Sequence, residues 1–347
     1  MTAIAPRLPA FARVDSVLQD AAGRQFTAAT ARVEHRGHLV FERAYGVTRD
    51  DDSARPVYVD TMFDLASLTK LFVATLALVA VQECRIGLDE PLTAWIPQWK
   101  ATAHEPITLR MLLAHDSGMN SGADYRGLLA HNVARYALES DLVARPGDRV
   151  IYSDLGFIAA GEVLERVYGR SLAAVLRALR SAPVYRPAHA QEIPATEDDG
   201  WRGRVQGSVH DEKAYLMGGV AGHAGLFGSA ADLAWLAEHY LGPLHGRSST
   251  LLHERIAREA TREQAYDPVL RRGLGWALKT SDDNSCGRYF ASSSFGHTGF
   301  VGTCVWVDPE RDCIGVLLTN SVYFGRNDIR DLRAAFYEGL IEDLQLT

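Results

Sequence analysis

The sequence predicts an α+β fold in which an antiparallel sheet, assembled from both chain ends and flanked by helices, carries a mostly helical inserted lobe. Strand patterns cluster near the two ends, and helical periodicity fills most of the chain between them. The 347 residues are 47% hydrophobic and show no internal repeat or linker. We expect a single domain over 1–347, with an α/β lobe from approximately 1–65 plus 265–347 and a mostly helical lobe from approximately 66–264.

Two strand pairs are predicted from alternating apolar residues on either side of turn residues. Residues 30–44 form the first pair around Arg36-Gly37, and residues 300–307 and 313–319 form the second. Cys304 and Cys313 fall in the second pair, but the four cysteines show no C-x-x-C spacing. We expect reduced, buried thiols at these two positions.

The central helices are predicted from apolar periodicity and from capping residues. Residues 71–81 are apolar nearly all round, which is typical of a helix buried in the core. Thr108 and Ser229 are expected to cap the starts of two helices. A further helix is expected over 155–168, ending at Gly169, and an amphipathic helix over 327–344.

Composition and charge exclude several classes of protein. The formal net charge is −7 and no dense Lys/Arg run is present, which argues against nucleic-acid binding and against a polybasic membrane patch. The apolar run over 71–81 is shorter than the roughly 20 residues of a membrane span. Prolines and arginines interrupt the first 13 residues where a secretory signal needs an apolar core, so we expect a cytoplasmic protein.

Ser67-Leu68-Thr69-Lys70 places a hydroxyl and an amine on one face of a helical turn. Apolar neighbours of Lys70 are expected to lower its pKa, so that a neutral amine accepts the Ser67 proton. The start of a helix also directs backbone N–H groups at developing negative charge. So short a pattern is equally compatible with a helix cap and a surface lysine.

Two further motifs lie far along the chain. Tyr152 follows a Pro-Gly turn and precedes a helix, a position that suits a proton relay but also a half-buried structural tyrosine. His297-Thr298-Gly299 leads into the C-terminal strands, and Gly299 would let a substrate approach the backbone. Taken alone, this motif is better explained as an ordinary edge strand with a turn glycine.

Together, Ser67-x-x-Lys70, Tyr152-Ser-Asp154 and His297-Thr-Gly299 resemble the three motifs of the serine beta-lactamase and penicillin-binding protein superfamily. The resemblance extends from about residue 30 to residue 335 and includes the connecting segments 86–92, 107–119 and 222–233. It points to class C beta-lactamase-like enzymes, esterases and D-stereospecific peptidases. Residues 206–212 and 218–227 resemble a subgroup related to penicillin-binding protein 4B.

The resemblance implies a beta-lactamase/transpeptidase-like fold and a role for each motif residue. Ser67 would be the acylated nucleophile, and Lys70 and Tyr152 the base and proton relay. The backbone N–H groups of Ser67 and Phe300 would form the oxyanion hole, beside the substrate-binding strand of Thr298 and Gly299. No cofactor is implied.

Two departures from the family pattern affect the expected substrate. Asp154 stands where many members have Asn, and we expect it to pair with Lys70 or a backbone group. His297 stands where beta-lactamases and transpeptidases usually have Lys, so the fixed positive charge that anchors a substrate carboxylate is expected to be absent or pH-dependent. Neutral short-chain esters should then be preferred over carboxylate-bearing beta-lactams.

The leading hypothesis is a serine hydrolase that forms an acyl-enzyme with a small ester or a D-amino-acid amide or peptide. The alternatives are a DD-carboxypeptidase or beta-lactamase acting on muropeptide-like or beta-lactam substrates, and a non-catalytic ligand-binding relative. A metal site is not expected, because the candidate ligands lack H-x-x-x-H or H-E-x-x-H spacing. Those candidates, whose role stays open, are His210, Asp211, Glu212 and His223.

Overall fold

The computed structural model describes residues 11–180 and 182–346, without the side chain of Tyr125. Its helices are α1 (Ala12–Ala21), α2 (Thr69–Gln82), α3 (Leu109–Ala114), α4 (Val133–Glu139), α5 (Asp154–Tyr168), α6 (Leu172–Leu179), α7 (Glu212–Leu216), α8 (Ala230–Leu244), α9 (Glu254–Thr261) and α10 (Arg330–Asp343). Its strands are β1 (Ala28–His35), β2 (His38–Gly46), β3 (Phe63–Asp64), β4 (Val184–Tyr185), β5 (Glu197–Asp199), β6 (Gly203–Val205), β7 (Leu226–Gly228), β8 (Ala277–Leu278), β9 (Phe295–Thr298), β10 (Cys304–Asp308) and β11 (Cys313–Thr319). The predicted α+β class is confirmed.

The main sheet has six antiparallel strands in the order β2-β1-β11-β10-β9-β8. Strands β1 and β11 are paired from Ala29 with Thr319 to His35 with Cys313, although nearly the whole chain separates them. The expectation that both chain ends build one sheet is therefore confirmed. Most of the helices come from the chain between β2 and β8.

The C-terminal strands differ in their bounds from the prediction. Strand β10 begins at Cys304 rather than at residue 300, because residues 300–303 form a turn after β9. The His297 segment is thus a strand of its own. Cys304 is paired with Leu317 and Cys313 with Asp308 across β10 and β11, and both cysteines are buried free thiols as expected.

The two faces of the sheet belong to different hydrophobic clusters. On β11, Leu317 packs with residues of α1 and α10, whereas its neighbours Val316 and Leu318 pack with α2 and α8. This alternation is the expected consequence of the two-residue repeat of a strand. Helix α1 was not predicted from the sequence. It packs against α10, and the two helices cover the face of the main sheet on which Leu317 lies.

The predicted helix caps are present. Thr108 accepts from Met111 N, and Ser229 forms a capping box with Asp232 at the start of α8. Helix α2 is buried on nearly all sides, in agreement with its uniformly apolar sequence. Within 11–180 and 182–346, no helix combines the length and apolar character that crossing a membrane requires.

Candidate active site

Ser67 lies in a short 3₁₀ turn, Ala66–Leu68, that leads directly into α2. The buried carboxylate of Asp64 shapes this turn: it accepts from Ala66 N at 2.8 Å and from His210 N at 2.6 Å. Ala66 has φ +46°, a left-handed conformation that a non-glycine residue adopts at a cost of about 1 kcal/mol or more. The turn is thus held by specific contacts, with Ser67 partly exposed at its surface.

Ser67, Lys70 and Tyr152 come together as the sequence predicts. The hydroxyl of Tyr152 donates to Ser67 Oγ at 2.8 Å, and Lys70 Nζ donates to the same oxygen at 3.2 Å. Lys70 comes from α2, whereas Tyr152 comes from the loop before α5. Both potential proton-transfer groups therefore contact the hydroxyl of Ser67 directly.

Lys70 is fully buried, but its ammonium group is surrounded by acceptors. Besides Ser67 it contacts Asp154 Oδ1 at 2.9 Å and the carbonyl oxygen of His223 at 3.1 Å. Burial lowers the pKa of Lys70, but the charge of Asp154 and the contacts with Tyr152 outweigh it, and the net pKa is raised. The expectation of a neutral lysine is therefore wrong, whereas the predicted pairing of Asp154 with Lys70 is confirmed.

Asp154 belongs to a larger, partly buried network of alternating charges. Lys213 Nζ lies 3.3 Å from its second carboxylate oxygen, and nearby Asp211 accepts from His223 Nε2 at 2.8 Å. Asp154, Asp211 and His223 place potential metal ligands within 4.8 Å of one another. Both oxygens of Asp154 are already occupied by ammonium groups, one of them from Lys70, so the arrangement is a salt-bridge network.

Of the other two residues whose role was open, neither belongs to this network. The ring of His210 lies 5.5 Å from the ring of Phe300, and its backbone N–H supports Asp64. Glu212 pairs with Arg326 at 2.8 Å. His210 and Glu212 thus contact Phe300 and Arg326, two side chains that line the cleft of Ser67.

The ring of Tyr152 is enclosed by groups from several segments. His115, whose Nδ1 accepts from Ser153 N, has its ring centre 4.7 Å away. Lys70 Nζ lies 4.9 Å from the centre of the Tyr152 ring, and Arg272 Cζ lies 5.3 Å from it. These contacts fix the tyrosine in place and put two cations beside it.

His297, Thr298, Gly299 and Phe300 lie at the end of β9, next to the turn of Ser67. A Cβ on Gly299 would lie 2.1 Å from Thr303 Oγ1 and 2.8 Å from the carbonyl oxygen of Leu65. The glycine therefore permits close approach of two protein segments, and the expected approach of a substrate to its backbone stays a prediction. Thr298, Gly299 and an exposed Phe300 line a cleft of about 410 Å³ together with Ser67.

His297 does not supply a positive charge. Burial, followed by the charges of Arg272 and Lys70, lowers its pKa to about 3, so the imidazole is neutral at pH 7. Its Nδ1 is engaged with the carbonyl oxygen of Thr298 at 2.8 Å. The expected absence of a fixed charge at His297 therefore agrees with the structure, although Arg272 and Arg333 line the same cavity and bring positive charge near it.

Sequence reasoning missed Arg272, Arg333 and His115. Arg272 lies just before β8, and Arg333 lies on α10, which the sequence identified only as an amphipathic helix. His115 falls in a segment noted for its family resemblance, but nothing in its spacing signalled a contact with Tyr152. Each depends on long-range packing that a local pattern does not record.

A serine at the start of a buried helix, contacted by a lysine one turn on and by a tyrosine from a distant loop, is the arrangement of a serine hydrolase. The beta-lactamase family model matches residues 14–339, so the chain belongs to the beta-lactamase family.

Curated relatives and solved structures agree with this assignment. The chain is 28% identical to an N-acetylmuramyl-L-alanine amidase of Bacillus subtilis, covering 89% of this chain and 80% of the relative. It is 29% identical to a putative D-alanyl-D-alanine carboxypeptidase of Escherichia coli, covering 81% and 75%. The structure of EstCE1, a hydrolase with promiscuous acyltransferase activity, superposes with a TM-score of 0.76 at 21% identity, covering 94% of this chain and 97% of that one.

Proposed function

We propose that this protein hydrolyses a small ester or a D-amino-acid amide or peptide through an acyl-enzyme formed on Ser67. The observation that carries the proposal is the double contact of Ser67 Oγ with Tyr152 and Lys70 inside an open cleft. A nucleophile held by a proton-transfer pair is the recurring requirement of covalent acyl transfer.

The roles of the two partners follow from their charges. Lys70 is held as an ammonium ion by Asp154, so it stabilises negative charge on the oxygens of Ser67 and Tyr152. Tyr152 then relays the proton: its oxygen takes the Ser67 proton as Oγ bonds to the substrate carbonyl carbon. A proton passes from Tyr152 to the leaving group when the carbonyl–leaving-group bond breaks, so Tyr152 keeps its hydroxyl, and water hydrolyses the acyl-enzyme in a second cycle.

The oxyanion formed in this step needs hydrogen-bond donors on the opposite side of the carbonyl. We assign this role to the backbone N–H groups of Ser67 and Phe300. The close approach of Gly299 to Leu65 and Ala66 supports it, because it holds the backbone after β9 against the turn that carries Ser67. Such donors are worth roughly 2.7–4 kcal/mol each in transition-state stabilisation.

The curated relatives are an amidase and putative carboxypeptidases, and EstCE1 is a hydrolase with acyltransferase activity. These names support amide and peptide substrates and chemistry by acyl transfer. A DD-carboxypeptidase or beta-lactamase is the second candidate function, and the buried guanidinium of Arg272 next to the cleft is the observation that favours it. The remaining alternative is a non-catalytic relative. It would leave the hydrogen bonds of Lys70 and Tyr152 to Ser67 Oγ without a function.

The test is intact-mass detection of a covalent adduct with a fluorophosphonate, a penicillin and a panel of p-nitrophenyl esters in parallel. We expect an adduct that maps to Ser67 and disappears in Ser67→Ala, with turnover lowered about a thousandfold or more. Ser117→Ala is the matched control, since this buried serine also lies near a glycine turn and should leave labelling intact.

Two outcomes contradict the proposal. Labelling of Ser117 or Ser153 would place the nucleophile elsewhere. A folded protein that shows neither adduct nor turnover with any probe would favour the non-catalytic relative.

A further inference from the structure

Asp64 is a buried carboxylate to which the proposed reaction gives no direct part. It ends β3, three residues before Ser67, and is 2% exposed. Its two oxygens accept from two segments that are distant in sequence, Oδ1 from Ala66 N and Oδ2 from His210 N. Burying a carboxylate is costly, and hydrogen bonds to backbone N–H groups offset part of that cost. The side chain therefore ties these two segments together.

The bond to Ala66 restricts the turn that carries Ser67. A non-glycine residue with φ +46° stays in that conformation only where its surroundings hold it. Leu65 is held by its N–H, which donates to the carbonyl oxygen of Leu226 at 2.9 Å, and the N–H of Ala66 is held by Asp64. The peptide plane of Ser67 comes next along the chain, so these contacts also restrict the direction of the Ser67 N–H.

The bond to His210 extends toward the second donor assigned to the oxyanion hole. Arg202 donates to the carbonyl oxygen of His210 at 3.0 Å, so the backbone of His210 is held on both its N–H and its carbonyl side. The buried ring of His210 lies 5.5 Å from the ring of Phe300, measured between centres. Asp64 thus connects the turn of Ser67, through His210, with the residue that carries the second donor.

Both hydrogen bonds of Asp64 require its ionised form. Burial raises the pKa of Asp64 to about 6, although the backbone N–H groups of His210 and Ala66 and the charge of Arg202 oppose this, while Asp211 adds to it. The carboxylate is therefore the main form above pH 7, and both of its oxygens are then acceptors. Variants are best compared with this form at pH 8.

We propose that Asp64 is a positioning residue that keeps the backbone N–H groups of Ser67 and Phe300 directed at one point between them. This proposal rests on the proposed function, because it concerns the oxyanion hole assigned there. The carbonyl oxygen of a substrate becomes negatively charged only as Ser67 attacks, and donors fixed in advance stabilise it without reorganisation. Asp64 touches no substrate, so its effect falls on kcat rather than on KM.

The kinetic test uses two variants of Asp64 and a p-nitrophenyl ester at pH 8. Asp64→Ala removes both acceptors and should lower kcat about a hundredfold with KM changed less than about twofold, because displaced donors weaken binding of the transition state more than of the substrate. Asp64→Ser keeps one acceptor within reach of Ala66 N, in the way that Ser249 Oγ accepts from Leu251 N at 3.2 Å. It should recover about tenfold of the lost kcat.

Asp308→Ala is the matched control. Asp308 is also fully buried and also accepts from backbone N–H groups of two segments, from Ala291 and from Glu310, both at 3.0 Å. It lies at the end of β10 that is remote from Thr298. Asp308→Ala should therefore lose stability in urea denaturation as Asp64→Ala does, yet keep the wild-type kcat.

A boronic acid reports on the oxyanion hole without turnover. Phenylboronic acid adds to Ser67 by forming a bond between Oγ and boron, the hydroxyl proton passes to water, and boron becomes a tetrahedral anion. Calorimetric titration should show binding to Asp64→Ala about tenfold weaker than to the wild type, since the adduct resembles the transition state. Binding to Asp308→Ala should be unchanged, and Ser67→Ala should show no adduct.

Two results would leave other measurements to decide. If Asp64→Ala does not fold by circular dichroism, Asp64→Ser carries both the kinetic test and the titration. If the wild-type protein turns over no ester but binds the boronic acid at Ser67, the proposed function fails, and the titration still tests the role of Asp64.

The positioning role is wrong if the Asp64 variants keep the wild-type kcat and the wild-type affinity for the boronic acid. It is equally wrong if they raise KM and leave kcat unchanged, or if Asp308→Ala lowers kcat to the same extent. A wild-type protein that does not bind the boronic acid has no oxyanion hole for Asp64 to position, which also contradicts the proposal.

Discussion

Lys70 and Arg272 are two buried cations beside the same tyrosine ring, 4.9 and 5.3 Å from its centre, but their surroundings differ. Lys70 donates to three acceptors, one of them the carboxylate of Asp154. Arg272 lies against an open cavity and has no hydrogen-bonding or ionic partner in the described chain. A paired buried charge organises the site, whereas an unpaired one facing a cavity remains available for a ligand.

The difference has an energetic consequence. Removing one member of a buried ion pair leaves the other uncompensated, which costs about 3–5 kcal/mol. Removing a buried charge that has no partner takes away a desolvation penalty instead. Removing a paired charge near Lys70 should therefore lower the free energy of unfolding, whereas removing the charge of Arg272 should leave it unchanged or raise it.

The largest expected effect concerns the unit formed by Lys70 and Tyr152. Lys70→Ala and Tyr152→Phe should each lower kcat about a thousandfold, because Tyr152 transfers the Ser67 proton and Lys70 stabilises the negative charge that develops as it leaves. The double variant should be little worse than either single one, as steady-state kinetics of the full mutant cycle would show. Independent, multiplying effects would mean that the two residues do not share one proton path.

Asp154→Asn removes the negative charge that pairs with Lys70. We expect a loss of roughly 3 kcal/mol in the free energy of unfolding at pH 7, measured by urea denaturation. The pKa of Asp154 is lowered in the folded protein: burial raises it, but the charges of Lys70 and His223 more than offset this. Its contribution is thus present above pH 4 and lost as the pH falls through the folded pKa, so the gap should narrow in acid.

Asp198→Asn is the control for this change. Asp198 pairs with Arg204 at 2.9 Å, but its side chain is 64% exposed, so its loss should cost less than about 1 kcal/mol. Equal effects of the two substitutions would remove the distinction between a buried network and a surface pair.

Arg272→Met tests the unpaired region. Without ligand we expect unchanged or increased stability, by up to about 1–2 kcal/mol, because a buried charge is replaced by an apolar side chain of similar length. Arg180→Met is the control: Arg180 also stacks on an aromatic ring, that of Trp235, but it pairs with Asp232 at 3.0 Å. Thermal unfolding should show destabilisation in Arg180→Met only. A large loss in Arg272→Met would show that its guanidinium supports the fold.

Asp116 is an unpaired acidic group, in contrast to the basic Arg272. Its substitution should have the smallest effect on the free energy of unfolding. Burial raises its pKa to about 6, and its Oδ1 contacts no donor in the described chain. Because the folded pKa exceeds the unfolded value of about 4, its contribution is complete below pH 4 and lost as the pH rises through about 6. Asp116→Asn should raise stability by roughly 1 kcal/mol at pH 8 and have no such effect at pH 4, as paired denaturation curves would show.

The sequence predicted local features well. Ser67 and Lys70 are neighbours because three-residue spacing on a helix brings side chains together, whatever surrounds them. The caps at Thr108 and Ser229 follow from the same kind of short-range geometry. Helix α1 was missed, although its buried residues Val14, Leu18 and Ala21 recur at helical spacing in the sequence.

The sequence by itself determined the α+β class, the order of the three motifs and the residues that meet Ser67. Only the tertiary structure decided the charge of Lys70, because that depends on Asp154, 84 residues away. It also placed Arg272 and Arg333 in the cavity beside the neutral His297. The physical reason is that electrostatic environment depends on distance and burial in space, and neither is written in the spacing of residues along the chain.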